Sequence, residues 1–175
     1  PRKNSSPICS CCNRSASTYD RLRPRRFQHV PLWGMAVFFI YAMRRVNCRR
    51  CGVKVERVPW ATGKHRLTQS FCLFLSHWAR RLSWQETAEI FNTTWGRVYD
   101  AVRWVVEWGL EHRELDNVEA IGVDEIQFGK GHNYLTLVYQ IDAGIRRLLY
   151  VGPDRTVMTL LRFFHDMGRD WCGGI

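Results

Sequence analysis

The stretch Ala120-Ile-Gly-Val-Asp-Glu-Ile-Gln-Phe128 leads through Gly129-Lys-Gly-His-Asn133 into the apolar run Tyr134 to Ile141. Apolar and alternating residues broken by a short, glycine-containing turn predict two antiparallel strands. The first strand carries a carboxylate, Asp124. A lone aspartate inside an apolar strand is costly to desolvate unless a metal ion or a partner uses it. Asp124 is therefore the leading catalytic candidate. Glu125 cannot join it in one site, because adjacent strand residues point to opposite faces. Beyond the turn Asp142-Ala-Gly144, Arg146 to Val151 reads as a third strand, and Thr156 can cap a helix whose Val157, Leu160, Leu161 and Phe164 share a face.

Upstream, the period changes from two to that of a helix. Leu67, Phe71, Phe74, Leu75, Trp78 and Leu82 recur at helical spacing. Ser83-Trp-Gln-Glu86 is a capping-box pattern, in which hydroxyl and carboxylate satisfy backbone donors reciprocally, so a second helix starts at Trp84. It ends near Phe91, where Asn92 tolerates the left-handed conformation and Thr94 can cap the next helix. That third helix begins at about Trp95, with Val98, Val102 and Val105 on one face. A short helix, a tight turn and a longer helix, all behind a leading helix, match the helix-turn-helix arrangement whose last helix enters the major groove. Thr93, Thr94, Trp95, Arg97 and Arg103 are the expected DNA-facing residues. An ordinary three-helix bundle would show the same periodicity. Val58-Pro-Trp-Ala-Thr-Gly-Lys64, with its Pro and Gly, reads as a linker ahead of the helices.

At the front, Cys9-Ser-Cys-Cys12 and Cys48-Arg-Arg-Cys51 place a CxxC on each side of a basic, hairpin-like stretch. Each turn aims two thiolates at one point, and two such turns complete a tetrahedral zinc site. Cys9, Cys12, Cys48 and Cys51 are the expected structural zinc ligands, and Gly52 lets the chain turn with positive φ. Cys11 could replace Cys9 or Cys12, though the two-residue spacing leaves it spare. Cys72 reads as a small core residue, and Cys172 has no evident partner. The close pairs within an odd total of 7 cysteines fit a metal and a reducing compartment better than a disulfide framework.

Lys and Arg outnumber Asp and Glu by 26 to 16, a net charge of +10 that calls for a polyanionic partner, nucleic acid first. The charge gathers in the first half, as Arg21-Leu-Arg-Pro-Arg-Arg26, Arg44-Arg45, Arg49-Arg50 and Arg80-Arg81. With 46% hydrophobic and 24% charged residues the chain is globular rather than disordered. Val30 to Met43, its most hydrophobic stretch, contains Pro31 and Gly34 and is too short to span a bilayer. No membrane anchor is expected, and the cytoplasm is the default location. Neither Pro1 nor Ile175 looks like a natural terminus, so the chain reads as part of a longer protein.

Strand, strand, strand, helix is the opening of an RNase H-like fold. In the order zinc ribbon, helix-turn-helix, then Gly122-Val-Asp-Glu-Ile126 followed by Lys130-Gly-His132 and Tyr134, the sequence resembles bacterial insertion-sequence transposases of the DDE type, the zinc-ribbon-bearing ISL-three group. The resemblance runs from Cys9 to about Met167. It implies a multidomain α/β chain: a zinc ribbon over 1–58, a helix-turn-helix DNA-binding region over 59–115, and a truncated RNase H-like catalytic domain over 116–175. It implies that Asp124 matches the family's first catalytic aspartate, a magnesium ligand in the complete protein, and that Cys9, Cys12, Cys48 and Cys51 match its zinc ligands.

The chemistry gives Asp124 an independent reason. In-line transfer at a phosphodiester uses two divalent cations bridged by a carboxylate, and magnesium suits carboxylate and phosphate oxygens. One aspartate cannot hold two ions. The family's second aspartate and its glutamate come after the helix, where Gly173-Gly-Ile175 resembles the start of the next strand, so the chain stops before either. Asp142, Asp154, Asp166 and Asp170 are candidates by residue type alone and read as surface charges. Lys130 and His132, in the hairpin turn, could approach a phosphate or simply face solvent. His65, His77 and His165 read as surface or interface histidines.

The expected function is that of a transposase that binds the terminal inverted repeats of its own element as double-stranded DNA and, when complete, cuts and joins DNA ends. Bringing two ends together would call for a homodimer. Two other readings fit the same residues: a truncated, non-catalytic DNA-binding repressor, and a zinc-ribbon module whose partner is protein.

Overall fold

The computed structural model describes residues 6–61, 65–113, 115 and 118–168. Asp170, Cys172 and the expected strand start at 173–175 lie outside them, as does the end of the expected linker at 62–64. The chain divides into two compact units at the junction of Arg113 and Glu114.

In the first unit, β1 (Ser17–Arg21), β4 (Arg44–Cys48) and β5 (Gly52–Val55) form an antiparallel sheet in the order β1-β4-β5. Between β1 and β4 the chain makes a separate hairpin of β2 (Arg25–Leu32) and β3 (Met35–Tyr41). Cys48 pairs with Gly52 at the close of the β4–β5 turn, and Gly52 has φ +71, the positive value expected there.

The segment read as a linker begins as core. Val58 and Ala61 are buried and bridge to one another. Between them, the Trp60 ring packs edge-on against Phe27, Phe39 and Tyr41 at centroid distances of 5.0, 5.5 and 5.7 Å. Pro59 gave the turn signal, but the apolar surface of Val58, Trp60 and Ala61 outweighs it, since an indole carries one of the largest burial gains of any side chain.

Glu56 ties this core to the sheet. Its buried carboxylate accepts hydrogen bonds from Tyr41 Oη at 3.0 Å, the Arg44 backbone N–H at 2.6 Å and Arg44 Nε at 2.8 Å, and pairs with Arg44 Nη2 at 2.7 Å. The partner carboxylate holds the Arg44 pKa above its ordinary value, while burial, before the hydrogen bond to Glu56, raises that of Tyr41. Removing one member of a buried pair strands the other, so Glu56→Ala should destabilise this unit by about 3–5 kcal/mol in chemical denaturation. A loss below about 1 kcal/mol would mean the pair contributes as little as an exposed one.

Three helices complete the unit: α1 (Gln69–Trp78), α2 (Trp84–Ile90) and α3 (Trp95–Glu111). Each start is capped by the residue type that favours it. Thr68 accepts from the Phe71 N–H, Ser83 and Glu86 form the expected capping box, and Thr94 accepts from the Arg97 N–H. Asn92, with φ +48, makes the turn between α2 and α3. Leu67, Phe71, Cys72, Leu75, Ala88, Val98 and Ala101 form the helical core, so Cys72 is the core residue its position suggested.

The second unit is an antiparallel sheet, β6 (Ile121–Gln127), β7 (Tyr134–Gln140) and β8 (Arg147–Pro153), in that order, followed by α4 (Val157–Met167) capped by Thr156. The third strand runs two residues further than expected, through Gly152 and Pro153, because an edge strand of this sheet tolerates proline. Gly152 is required there, since a Cβ would fall 2.2 Å from Thr159 Cγ2. Val118, Val138, Leu149 and Phe163 form the core between sheet and helix.

Candidate metal centre and nucleic-acid interface

The two CxxC turns arise from local hydrogen bonding. The Asn13 N–H bonds back to the Cys9 carbonyl at 3.0 Å, and the Cys9 N–H bonds to that of Arg14 at 2.8 Å, which curls the first pair. The β4–β5 turn curls the second. Together they bring the Sγ atoms of Cys9, Cys12, Cys48 and Cys51 within 4.8 Å of one another, with Cys12 and Cys48 3.6 Å apart. Four sulfurs each at about 2.3 Å from one tetrahedral ion would stand roughly 3.8 Å apart. The cluster thus has the donor set and spacing that a tetrahedral metal requires.

Its environment favours thiolate at one ligand at least. The backbone N–H groups of Arg50 and Cys51 point at Cys48 and hold its pKa down to about 7, while a hydrogen bond that the Cys51 thiol donates to Cys11, and then burial, push that of Cys51 up. Cys11 itself is exposed and is not one of the four clustered sulfurs. The CxxC spacing of Cys9 and Cys12, which leaves Cys11 spare, agrees with this geometry. Among the described residues, these cysteines are the one group of three or more His, Cys, Asp or Glu side chains close enough to share an ion.

Around the α2–α3 turn, the five residues expected to face DNA have unlike settings. Trp95 is half exposed and stacks on Tyr99, the centroids 5.7 Å apart and the rings 10° from parallel. Thr94 is engaged as the cap of α3. Thr93 Oγ1 is buried without a hydrogen-bond partner among the described residues. Arg103 is exposed, paired with Asp100 at 3.3 Å and Glu107 at 3.8 Å. Arg97 reaches back instead, donating from Nη1 to Gln28 Oε1 at 3.3 Å.

Gln28 is a further functional residue, whose one signal in the sequence is a lone amide within the strand run Phe27 to Leu32. It is 3% exposed, and its Nε2 donates to the carbonyls of Phe91 and Asn92, each at 3.2 Å.

Asp124 corrects one expectation. It is exposed on β6, not buried among apolar neighbours, because β6 is an edge strand and its side chain leaves a surface open in this unit. Asp124 therefore incurs no large desolvation cost. Its Oδ1 accepts from the Glu125 N–H at 2.8 Å. The register pairs Asp124 with Leu137 and Glu125 with Thr136, which puts the two carboxylates on opposite faces, as the alternation required.

Lys130 and His132 are exposed in the β6–β7 turn. Four residues of strand, about 13 Å, separate Asp124 from Phe128 at the start of that turn, so the hairpin does not gather them around the carboxylate. Asp142 is more than a surface charge. It accepts from the Glu119 and Ala120 N–H groups and from Gln140 Nε2, fastening the entry to β6, and the Gln140 contact is the main reason its pKa lies below the usual carboxylate value. Asp154, His77, His165 and Asp166 are exposed.

Residues 121–175, the segment that carries Asp124, match a family described as transposase, of the DDE class and ISL3 type. Over 166 residues the chain is 33% identical to the transposase for insertion sequence element IS1557 of Mycobacterium tuberculosis, in two strains; the match covers 93% of this chain and 36% of that protein. Over 161 residues it is 25% identical to the transposase for insertion sequence element IS1001 of Bordetella parapertussis, covering 91% of this chain and 39% of the relative. The chain thus spans little more than a third of the length of these relatives. No solved structure matches it. Taken with the cysteine cluster and the strand that bears Asp124, these matches show that the chain belongs to the ISL3 family of insertion-sequence transposases.

Proposed function

We propose that the chain is the end-binding portion of a transposase, joined to the first strands of its catalytic domain. In this reading Cys9, Cys12, Cys48 and Cys51 hold a structural zinc ion, and α1 to α3 form a helix-turn-helix that docks on the terminal inverted repeats of the element. Thr94, Trp95 and Arg103 face the duplex, with Thr93, its hydroxyl buried, beneath the turn, Arg97 positioned at its edge, and Lys130 and His132 as further phosphate contacts. The sheet β6-β7-β8 with α4 is the opening of an RNase H-like domain. Asp124 there is one of three carboxylates that hold magnesium for DNA cleavage and strand transfer in the complete protein, which works as a homodimer in the bacterial cytoplasm. No helix among the described residues is long and apolar enough to cross a membrane.

One observation carries the reading. A single chain joins a four-sulfur cluster, a three-helix unit with a capping-box turn, and an open strand aspartate inside the segment matched by a transposase family. The net charge of +10 supplies the electrostatic attraction that duplex binding needs.

The test is competition binding of the full-length protein to a duplex carrying the inverted repeat that flanks its coding frame, against a scrambled duplex of equal length and at matched salt. A preference of about a thousandfold is expected of a specific site. Equal binding to both would favour a ribbon that docks on protein. Arg103→Ala should weaken both duplexes alike and lower the slope of log affinity against log salt by about 0.9, the value for one lost phosphate contact. An unchanged slope would mean that Asp100 and Glu107 already neutralise this arginine.

A further inference from the structure

The β2–β3 hairpin is locked against the α2–α3 turn and carries its most exposed aromatic residue at its tip. Gln28 fastens one side through the Phe91 and Asn92 carbonyls and Arg97. Its backbone N–H bonds to the Arg66 carbonyl at 2.8 Å, and its carbonyl accepts from the Thr68 N–H at 2.9 Å. His29 Nδ1 lies 2.8 Å from Thr68 Oγ1, and Val30 packs on the helical core. Toward the tip, Pro31, Gly34 and Ala36 face Ile90, Phe91 and Asn92 across a cleft. The hairpin therefore has a fixed position beside the N-terminal end of α3.

Its tip is unusual on two counts. Leu32, Trp33 and Met35 are 52%, 86% and 61% exposed, where a water-facing turn ordinarily carries polar residues. Trp33 and Gly34 both have positive φ, +49 and +77, the pattern of a two-residue turn that favours Asn-Gly. A bulky aromatic held in the left-handed region is a departure that points toward function.

We infer that this hairpin is a second DNA-binding element, a wing that sets Trp33 and its apolar neighbours against the base edges of the duplex beside the site of α3. The inference rests on the helix-turn-helix reading above. The occupant follows from charge: from Arg25 to Tyr41 the hairpin contains two arginines and a histidine and no acidic residue, within a chain of net charge +10. Arg26 lies over the Phe38 ring at 4.1 Å, which keeps a cation on the apolar strand face. Apolar wedges flanked by cations are the means by which proteins part base steps in the minor groove. Gln28 is a positioning residue in this scheme, holding the wing and Arg97 to the same turn.

The test measures anisotropy of the full-length protein on the inverted-repeat duplex and its scrambled counterpart for wild type, Trp33→Ala and Arg26→Ala, with metal content and circular dichroism as fold controls. Trp33→Ala is expected to bind the inverted repeat about tenfold more weakly, the loss of one aromatic contact to a base, with an unchanged salt slope. Arg26→Ala should lower the slope by about 0.9. Trp33→Ala binding within twofold of wild type overturns the wing, and so does a Trp33→Ala effect confined to self-association in light scattering, which would assign the tip to a second copy. If wild type shows no preference between the duplexes, the helix-turn-helix reading fails first, and the wing with it.

Discussion

Chelation of the metal, or Cys48→Ser, should unfold the front of the chain and abolish duplex binding. Among the described residues, Cys9, Val46 and Cys48 are the buried members of a small cluster, with Cys12, Ala16 and Cys51 packed around them. On the sheet above, Tyr19, Val53 and Val55 remain exposed. Such a module has too little apolar burial to stand alone, whereas zinc bound by four thiolates contributes about 10–16 kcal/mol of folding free energy. The expected result is one zinc per chain in the wild type, and loss of both the metal and the β-sheet signal with a chelator or with Cys48→Ser. Cys11→Ser should keep both, because its sulfur lies outside the cluster. A sheet signal that survives complete chelation would show that the cysteines are core residues and nothing more.

Asp124→Asn in the full-length protein should remove cleavage while leaving end binding intact. The aspartate is exposed on an edge strand, so the near-isosteric change costs little stability, within about 0.5 kcal/mol for a surface substitution away from packing. Metal-assisted phosphodiester chemistry draws several kcal/mol of transition-state stabilisation from a bound cation, and losing a ligand should slow strand cleavage by about a thousandfold or more. Glu125→Gln is the internal control. It sits on the opposite face of β6 and should retain most activity. Cleavage by Asp124→Asn at the wild-type rate, with magnesium present, would remove this residue from the catalytic centre.

Local chemistry was readable wherever one or two residues settle a conformation. Ser83 with Glu86, Asn92, Thr94 and Thr156 marked helix starts and the intervening turn without knowledge of any tertiary contact, because caps satisfy backbone donors within four residues of themselves. The CxxC spacing likewise named the clustered cysteines. What escaped depends on long-range packing. Trp60 turned an expected linker into core through partners at Phe27, Phe39 and Tyr41. Gln28 joined β2 to a turn more than sixty residues away, a contact that no local period encodes. The exposure of Asp124 is illegible for a related reason: strand composition shows apolar character, but which faces and edges other elements cover is a property of the whole sheet.

Hydroxyl-radical footprinting of the full-length protein on the end of its element tests the central claim most directly. Protection confined to the terminal inverted repeat, lost on chelation of the metal and narrowed by Trp33→Ala, is the expected pattern. Uniform protection along flanking and repeat DNA alike, or none at all with zinc bound and the chain folded, would contradict it.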